Sequence, residues 1–200
     1  LSWDLIREIE NLPNPPKSDF KAPLLSLSMS SEMVIVDHQE QRLLLLSNAF
    51  VTEGSDAEQL YHRALERIEG LKADLENQNP SPASAKAKAG EITHRTSKEE
   101  FFDSLEKAKH FVRIGDVFQV VISQRFDLET NATPLSVYRK LRELNPSPYM
   151  YLLNFEDDSG RYAVVGSSPE ALVTVSNGHA QMHPIAGSRP RGKSEAEDQS

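Results

Sequence analysis

The chain contains no cysteine among its 200 residues. That excludes disulfides, thiolate nucleophiles and cysteine-based zinc or iron–sulfur sites, and it fits a cytoplasmic setting. Long apolar runs are also missing. None approaches the roughly 18–20 residues of a spanning helix, so no membrane segment is expected. Positive charge is in the minority: 22 Lys and Arg against 30 Asp and Glu leave a net charge of −8. An acidic chain of this kind lacks the basic surface of a general nucleic-acid binder. Tryptophan occurs once, at Trp3. The chain opens on Leu1-Ser2-Trp3, with no initiator methionine and no signal peptide, and closes in a polar run, Asp198-Gln199-Ser200. The expectation is a piece of a longer protein.

What is present reads as alternating helices and antiparallel hairpins, a mixed α+β class. Leu1–Glu10 has partly helical spacing and is closed by Leu12-Pro13-Asn14-Pro15-Pro16. Met33–Asp37 and Arg42–Leu46 read as two buried strands of a hairpin. Leu60, Ala64, Ile68, Leu71 and Leu75 recur at helical gaps, which predicts an amphipathic helix over 57–77. Residues 78–94, with NPSPASAKAKA inside them, are poor in large apolar groups and read as an exposed linker.

Beyond the linker, Ser97-Lys98-Glu99-Glu100 matches a capping box. The helix it starts carries Phe101, Leu105, Ala108 and Phe111 inward and stops at Gly115. Asp116–Leu128 alternates as a strand should, with Phe118, Val120, Ile122, Phe126 and Leu128 on one face. Gln124 falls on that apolar face, which is odd for a simple amphipathic strand; a satisfied core amide is one reading of it. Thr133-Pro134 starts a further helix with Leu135, Tyr138, Leu141 and Leu144 as its buried stripe. Tyr149–Glu156 with Arg161–Val165, and Ala171–Val175 with His179–Ile185, form hairpins, the second turning at Asn177-Gly178.

Few residues carry chemistry by spacing alone. The histidines form no metal motif, and His179 with His183 lacks a third ligand. Gly166-Ser167-Ser168-Pro169-Glu170 is no nucleophile elbow and reads as a tight turn before a strand. Ala186–Gly192 is a small-residue loop with Arg189 and Arg191; its free amides and arginines suit a carboxylate, or equally a basic surface loop. In Asn145-Pro146-Ser147-Pro148-Tyr149-Met150 two prolines fix a rigid turn before an aromatic and a thioether, fit to line an apolar pocket or to begin a core strand.

Four segments in order, GDVFQVVISQRF at 115–126, NPSPYM at 145–150, GSSPE at 166–170 and PIAGSRPRG at 184–192, resemble the large subunits (component I) of anthranilate synthases, in the chorismate-utilising enzyme family. Residues 1–56 look like the end of that family's N-terminal region, and 95–200 like the first part of its chorismate-binding domain. The resemblance implies largely antiparallel sheets layered with helices, the chorismate-binding fold, incomplete in this chain. It implies conversion of chorismate and ammonia to anthranilate and pyruvate with magnesium, the ammonia coming from a glutamine amidotransferase subunit. Gly187 and Ser188 would hold the chorismate ring carboxylate, with serine where the family usually has threonine. Pro148, Tyr149 and Met150 match the segment that holds tryptophan, the feedback inhibitor. The other wall of that inhibitor site, a Leu-Leu-Glu-Ser segment in the family, is absent from the chain.

Two positions separate the branches of the family. Water-adding relatives have lysine, as a general base, where Gln119 stands. Aminodeoxychorismate synthases have a nucleophilic lysine where Ala186 stands. Both residues favour the ammonia-using anthranilate branch; aminodeoxychorismate synthase component I is the alternative, and a non-catalytic module binding tryptophan or a partner is the third reading. The family's magnesium ligands are expected beyond residue 200, so no metal ligand is assigned in this chain, and alone it is expected to be inactive.

Overall fold

The computed structural model describes residues 1–15, 23–77, 87–158, 160–184, 190 and 192–198. The chain divides into two compact units, Leu1–Pro82 and Ala83–Ser200.

The first unit opens with a 3₁₀ turn at Trp3–Glu8, whose start is capped by the Ser2 side chain. Strands β1 (Glu32–Asp37) and β2 (Arg42–Ser47) then pair antiparallel in unbroken register, from Glu32 opposite Ser47 to Asp37 opposite Arg42. The hairpin closes on itself because Asp37 Oδ1 accepts from the amides of Gln39 and Glu40, at 3.2 and 3.0 Å. Helix α1 (Ala57–Asn77) begins where Asp56 Oδ1 takes the free amides of Glu58 and Gln59. It packs on β2. Its stripe is the one read from the sequence: Leu60, Ile68 and Leu71 are half-buried, Ala64 is buried at 8% exposure, and Leu75 is exposed. The strands themselves are not the buried pair expected. Val34, Ile35, Val36 and Leu43 stand exposed: successive strand residues alternate faces, and residues of β1 are exposed on both faces of the hairpin, while α1 packs on β2.

The second unit holds β3 (Ala89–His94), α2 (Lys98–Arg113), β4 (Phe126–Thr130), α3 (Pro134–Leu144), β5 (Tyr149–Asp157), β6 (Gly160–Ser168), β7 (Thr174–Ser176), β8 (His179–Gln181) and a short turn of helix, α4 (Glu195–Asp198). β3 corrects the linker reading: its residues pair antiparallel with β4, with a bulge between Ala89 and Ile92. The capping box is formed as expected, the Ser97 hydroxyl taking the Glu100 amide and the Glu100 carboxylate taking the Ser97 amide. That donation, from the Ser97 amide first and the hydroxyl second, holds the Glu100 carboxyl below its ordinary pKa. Gly115 sits at φ +84, the left-handed geometry that ends the helix.

Residues 117–125 correct a second expectation. They carry no strand; only Phe126–Thr130 of the alternating segment pairs, and Arg95 N bonded to Arg125 O is the last rung before it. Alternation marks which side chains can share a face, but a ladder needs a neighbouring strand, and none reaches 117–125 among the described residues. Phe118 is consequently fully exposed, and Gln124 is exposed rather than a core amide.

α3 packs on β5 and β6. Its cap is Thr133 with Pro134 in the first turn, and Tyr138 and Leu141 are half-buried, but Leu144 is 71% exposed where the helix runs out. β5 and β6 pair from Tyr149 opposite Ser168 to Asp157 opposite Gly160. β6 extends to Ser168, so Gly166, Ser167 and Ser168 are strand residues and not a turn before one. The last hairpin is shorter than the sequence suggests. It pairs Thr174–Ser176 with His179–Gln181 about Asn177 (φ 52) and Gly178 (φ 77), and His183 lies outside it.

Candidate functional site

The described site centres on the connection from α3 to β5. The Asn145 amide still donates to Leu141 O at 2.8 Å, but φ −143 and ψ 68 take the chain out of the helix, and Pro146 cannot continue it. Four residues later the chain is a β-strand. Pro148 is exposed, Tyr149 is 46% exposed and Met150 is half-buried, the first two residues of β5 thus offering one aromatic ring and one thioether.

The partner of this turn is the end of β6. Register places Tyr149 opposite Ser168, Met150 opposite Ser167 and Tyr151 opposite Gly166. Ser167 Oγ lies 2.7 Å from the Asn145 carbonyl oxygen and 2.8 Å from Ser147 Oγ, so one hydroxyl spans both ends of the Asn145-Pro146-Ser147 corner. Ser168 Oγ donates to Glu170 O at 3.0 Å and closes the bend through Pro169. Gly166 is there for space. A Cβ at that position would overlap the Tyr151 ring, which lies across the glycine. Two motifs separated by fifteen residues of hairpin therefore form one structure, with every residue of Gly166-Ser167-Ser168 engaged. The sequence does not show this pairing: Gly166-Ser167-Ser168 reads there as a tight turn before a strand, and the contact exists because β6 runs on to Ser168.

The other expected site residues are not gathered here. Gln119 is exposed in the segment without helix or strand and makes no hydrogen bond among the described residues. Gly187 and Ser188, with Ala186, Arg189 and Arg191, lie outside the described residues. As for magnesium, the described residues contain no cluster of three or more His, Asp or Glu side chains able to hold a metal ion.

A second polar cluster stands where β3 ends and β4 begins. Asp127 accepts from Arg125 Nε at 2.7 Å and from Arg95 Nε at 2.7 Å. The Arg125 guanidinium, and then that of Arg95, hold its carboxyl below the ordinary value. No helix among the described residues is long and apolar enough to cross a membrane.

A family model described as chorismate binding enzyme matches residues 1–200. Anthranilate synthase component 1 of Arthrobacter globiformis is 42% identical over 201 residues, covering 96% of this chain and 38% of that protein. The protein of the same name from Acetivibrio thermocellus is 41% identical over 204 residues, covering 98% of this chain and 40% of that one. The chain thus spans less than half the length of these relatives. Among solved structures, anthranilate synthase component I from Streptococcus pneumoniae TIGR4 superposes with a TM-score of 0.71 at 26% identity, over 90% of this chain and 40% of that chain. The mixed helices and antiparallel hairpins described above are shared with that structure. On the match along its whole length, the chain belongs to the chorismate-binding enzyme family.

Proposed function

We propose that this chain is part of an anthranilate synthase large subunit, an enzyme of tryptophan biosynthesis that converts chorismate and ammonia to anthranilate and pyruvate. The observation that carries the reading is the likeness, at 41–42% identity over nearly the whole chain, to proteins called anthranilate synthase component 1. Two residues support the choice of branch. Gln119 bears an amide, which has no basic lone pair with which to activate water, so ammonia is the nucleophile. Ala186 has no amine to attack the ring, which disfavours aminodeoxychorismate synthase.

Within that enzyme, Gly187 and Ser188 supply a backbone amide and a hydroxyl to the ring carboxylate of chorismate. Pro148, Tyr149 and Met150 take the indole ring of tryptophan as inhibitor: the prolines hold the turn rigid, and Met150 offers a polarizable apolar contact. Magnesium, when bound, neutralises substrate carboxylate and assists departure of the ring hydroxyl; its ligands belong to other parts of the enzyme. Ammonia reaches the ring from a glutamine amidotransferase subunit, in the cytoplasm.

The test is product identity. The complete enzyme carrying this segment, given chorismate, an ammonium salt and magnesium, is expected to release fluorescent anthranilate, and residues 1–200 alone to release none above a no-protein control. Aminodeoxychorismate as the sole product would overturn the reading in favour of the sister enzyme. Anthranilate from residues 1–200 alone would show that the metal ligands lie within this chain.

A further inference from the structure

We infer that Ser167 is a positioning residue for the ligand-holding turn at 145–150, and that the strand end Gly166–Ser168 is the template on which that turn is set. The inference rests on the proposal that Pro148, Tyr149 and Met150 hold an apolar aromatic effector. It adds which residue fixes their geometry.

Two prolines fix φ at 146 and 148 and bias Asn145 and Ser147 before them toward extended backbone, yet Asn145 stands at ψ 68, short of the usual pre-proline range, which leaves its setting to a further contact. Asn145 has left the helical region and Ser147 is half-buried ahead of the exposed Pro148. The group that reaches both is the Ser167 hydroxyl, 2.7 Å from Asn145 O and 2.8 Å from Ser147 Oγ. A hydroxyl carries one hydrogen, so Ser167 donates either to the Asn145 carbonyl or to Ser147 Oγ at any moment, and both acceptors of the corner stand within its reach. Ser167 itself cannot drift. It sits on the next-to-last rung of a strand pair, opposite Met150, between Gly166, which seats the Tyr151 ring, and Ser168, which is tied to Glu170 O. The side chain proposed to meet the effector and the side chain that sets the turn thus face each other across one rung of the ladder. Removing the hydroxyl leaves the strand pairing whole and frees the corner, which would blur the positions of Pro148, Tyr149 and Met150 relative to one another.

The experiment measures tryptophan inhibition in the complete enzyme carrying this segment, for Ser167→Ala, Ser167→Thr, Ser147→Ala and the Ser147→Ala/Ser167→Ala pair, with Met150→Thr alongside. Loss of the bridge is expected to raise the half-inhibitory tryptophan concentration by about three- to tenfold, the range of one ordinary hydrogen bond. That factor should exceed any fall in uninhibited kcat. Ser167→Thr, which keeps the hydroxyl, is expected to restore inhibition, and the double variant to be no worse than Ser167→Ala, because Ser167→Ala already removes the one contact that Ser147→Ala would break. If Met150→Thr weakens inhibition while Ser167→Ala does not, the positioning role is overturned and the ligand turn stands. If Met150→Thr also leaves inhibition unchanged, the ligand turn itself is wrong. A Ser167→Ala variant whose kcat and inhibition fall by the same factor, without rescue by threonine, would reduce Ser167 to a folding role and overturn the inference.

Discussion

Two layers of this molecule share a plan: β1–β2 under α1, and β5–β6 under α3. They differ in what joins helix to sheet. In the first, nine residues separate β2 from α1 and the tie is a side chain, Arg67, whose Nε donates to Ser47 Oγ at 2.9 Å and whose terminal nitrogen donates to Asn48 O at 3.1 Å. In the second, α3 turns into β5 within four residues, and the tie is Ser167 reaching back to that corner. The first sheet is built of interchangeable aliphatic residues, Met33–Val36 against Leu43–Leu46. The second has a glycine, two serines and two tyrosines at one end of nine-residue strands. An aliphatic hairpin tolerates any similar volume, whereas a strand end that must seat a ring and hold a corner does not. The contrast separates an aliphatic scaffold from the candidate site within one chain.

The largest effect that sharpens this contrast is expected at Met150. Met150→Thr in the complete enzyme should weaken tryptophan inhibition by about 1–3 kcal/mol of binding, through loss of an apolar contact. The matching change in the first hairpin, Leu44→Thr, should lower thermal stability and leave inhibition in place. Inhibition curves and melting curves of the two variants, side by side, check both halves.

Next comes Gly166. Gly166→Ala puts a methyl where the Tyr151 ring lies, and the ring's far end has to swing off the strand. A loss of about 1 kcal/mol in unfolding free energy is expected, the low end for overpacking because the ring is partly exposed. Tyr151→Ala should remove most of that cost, a coupling that a double-mutant cycle in denaturant reads directly. In the first unit, Arg67→Ala should lower stability by about 0.5–1 kcal/mol, as its ties to Ser47 and Asn48 are partly exposed.

The smallest effect is one of pH. Asp127 is held below its ordinary pKa by Arg125 and then Arg95, so its folded value lies below its unfolded one. It therefore adds stability above the ordinary carboxylate range, and that contribution fades as pH falls through the folded value. Asp127→Asn should flatten this part of the stability–pH curve at the acid end, measured by denaturant midpoints from about pH 6 down to about pH 2. An unchanged acid slope would remove the arginine clasp from the account.

Much of this was legible in the residues, for a physical reason: local signals carry local structure. The capping box at Ser97 and Glu100, the Asn177-Gly178 turn, the α1 stripe and the proline start of α3 each depend on atoms within a few residues, and each is formed. What was hidden depends on distant partners. β3 lies in a composition that suits a linker and becomes a strand because Asp127 and Leu128 arrive beside Thr93 and Ile92. Residues 117–125 alternate like a strand and are not one, for want of a neighbour among the described residues. At the site, the motif at 145–150 could be picked out, but its dependence on Ser167 is a matter of register between strands and could not be seen in either segment alone.

The turn at 145–150 and the strand end at 166–168 are expected to respond to a ligand as one body. Hydrogen–deuterium exchange on the complete enzyme, with and without tryptophan, reads this directly. Slowed exchange in both 145–151 and 164–168, with β1 and β2 unchanged, is the predicted result. Protection that spares both segments, or that appears in 32–47 instead, would contradict it.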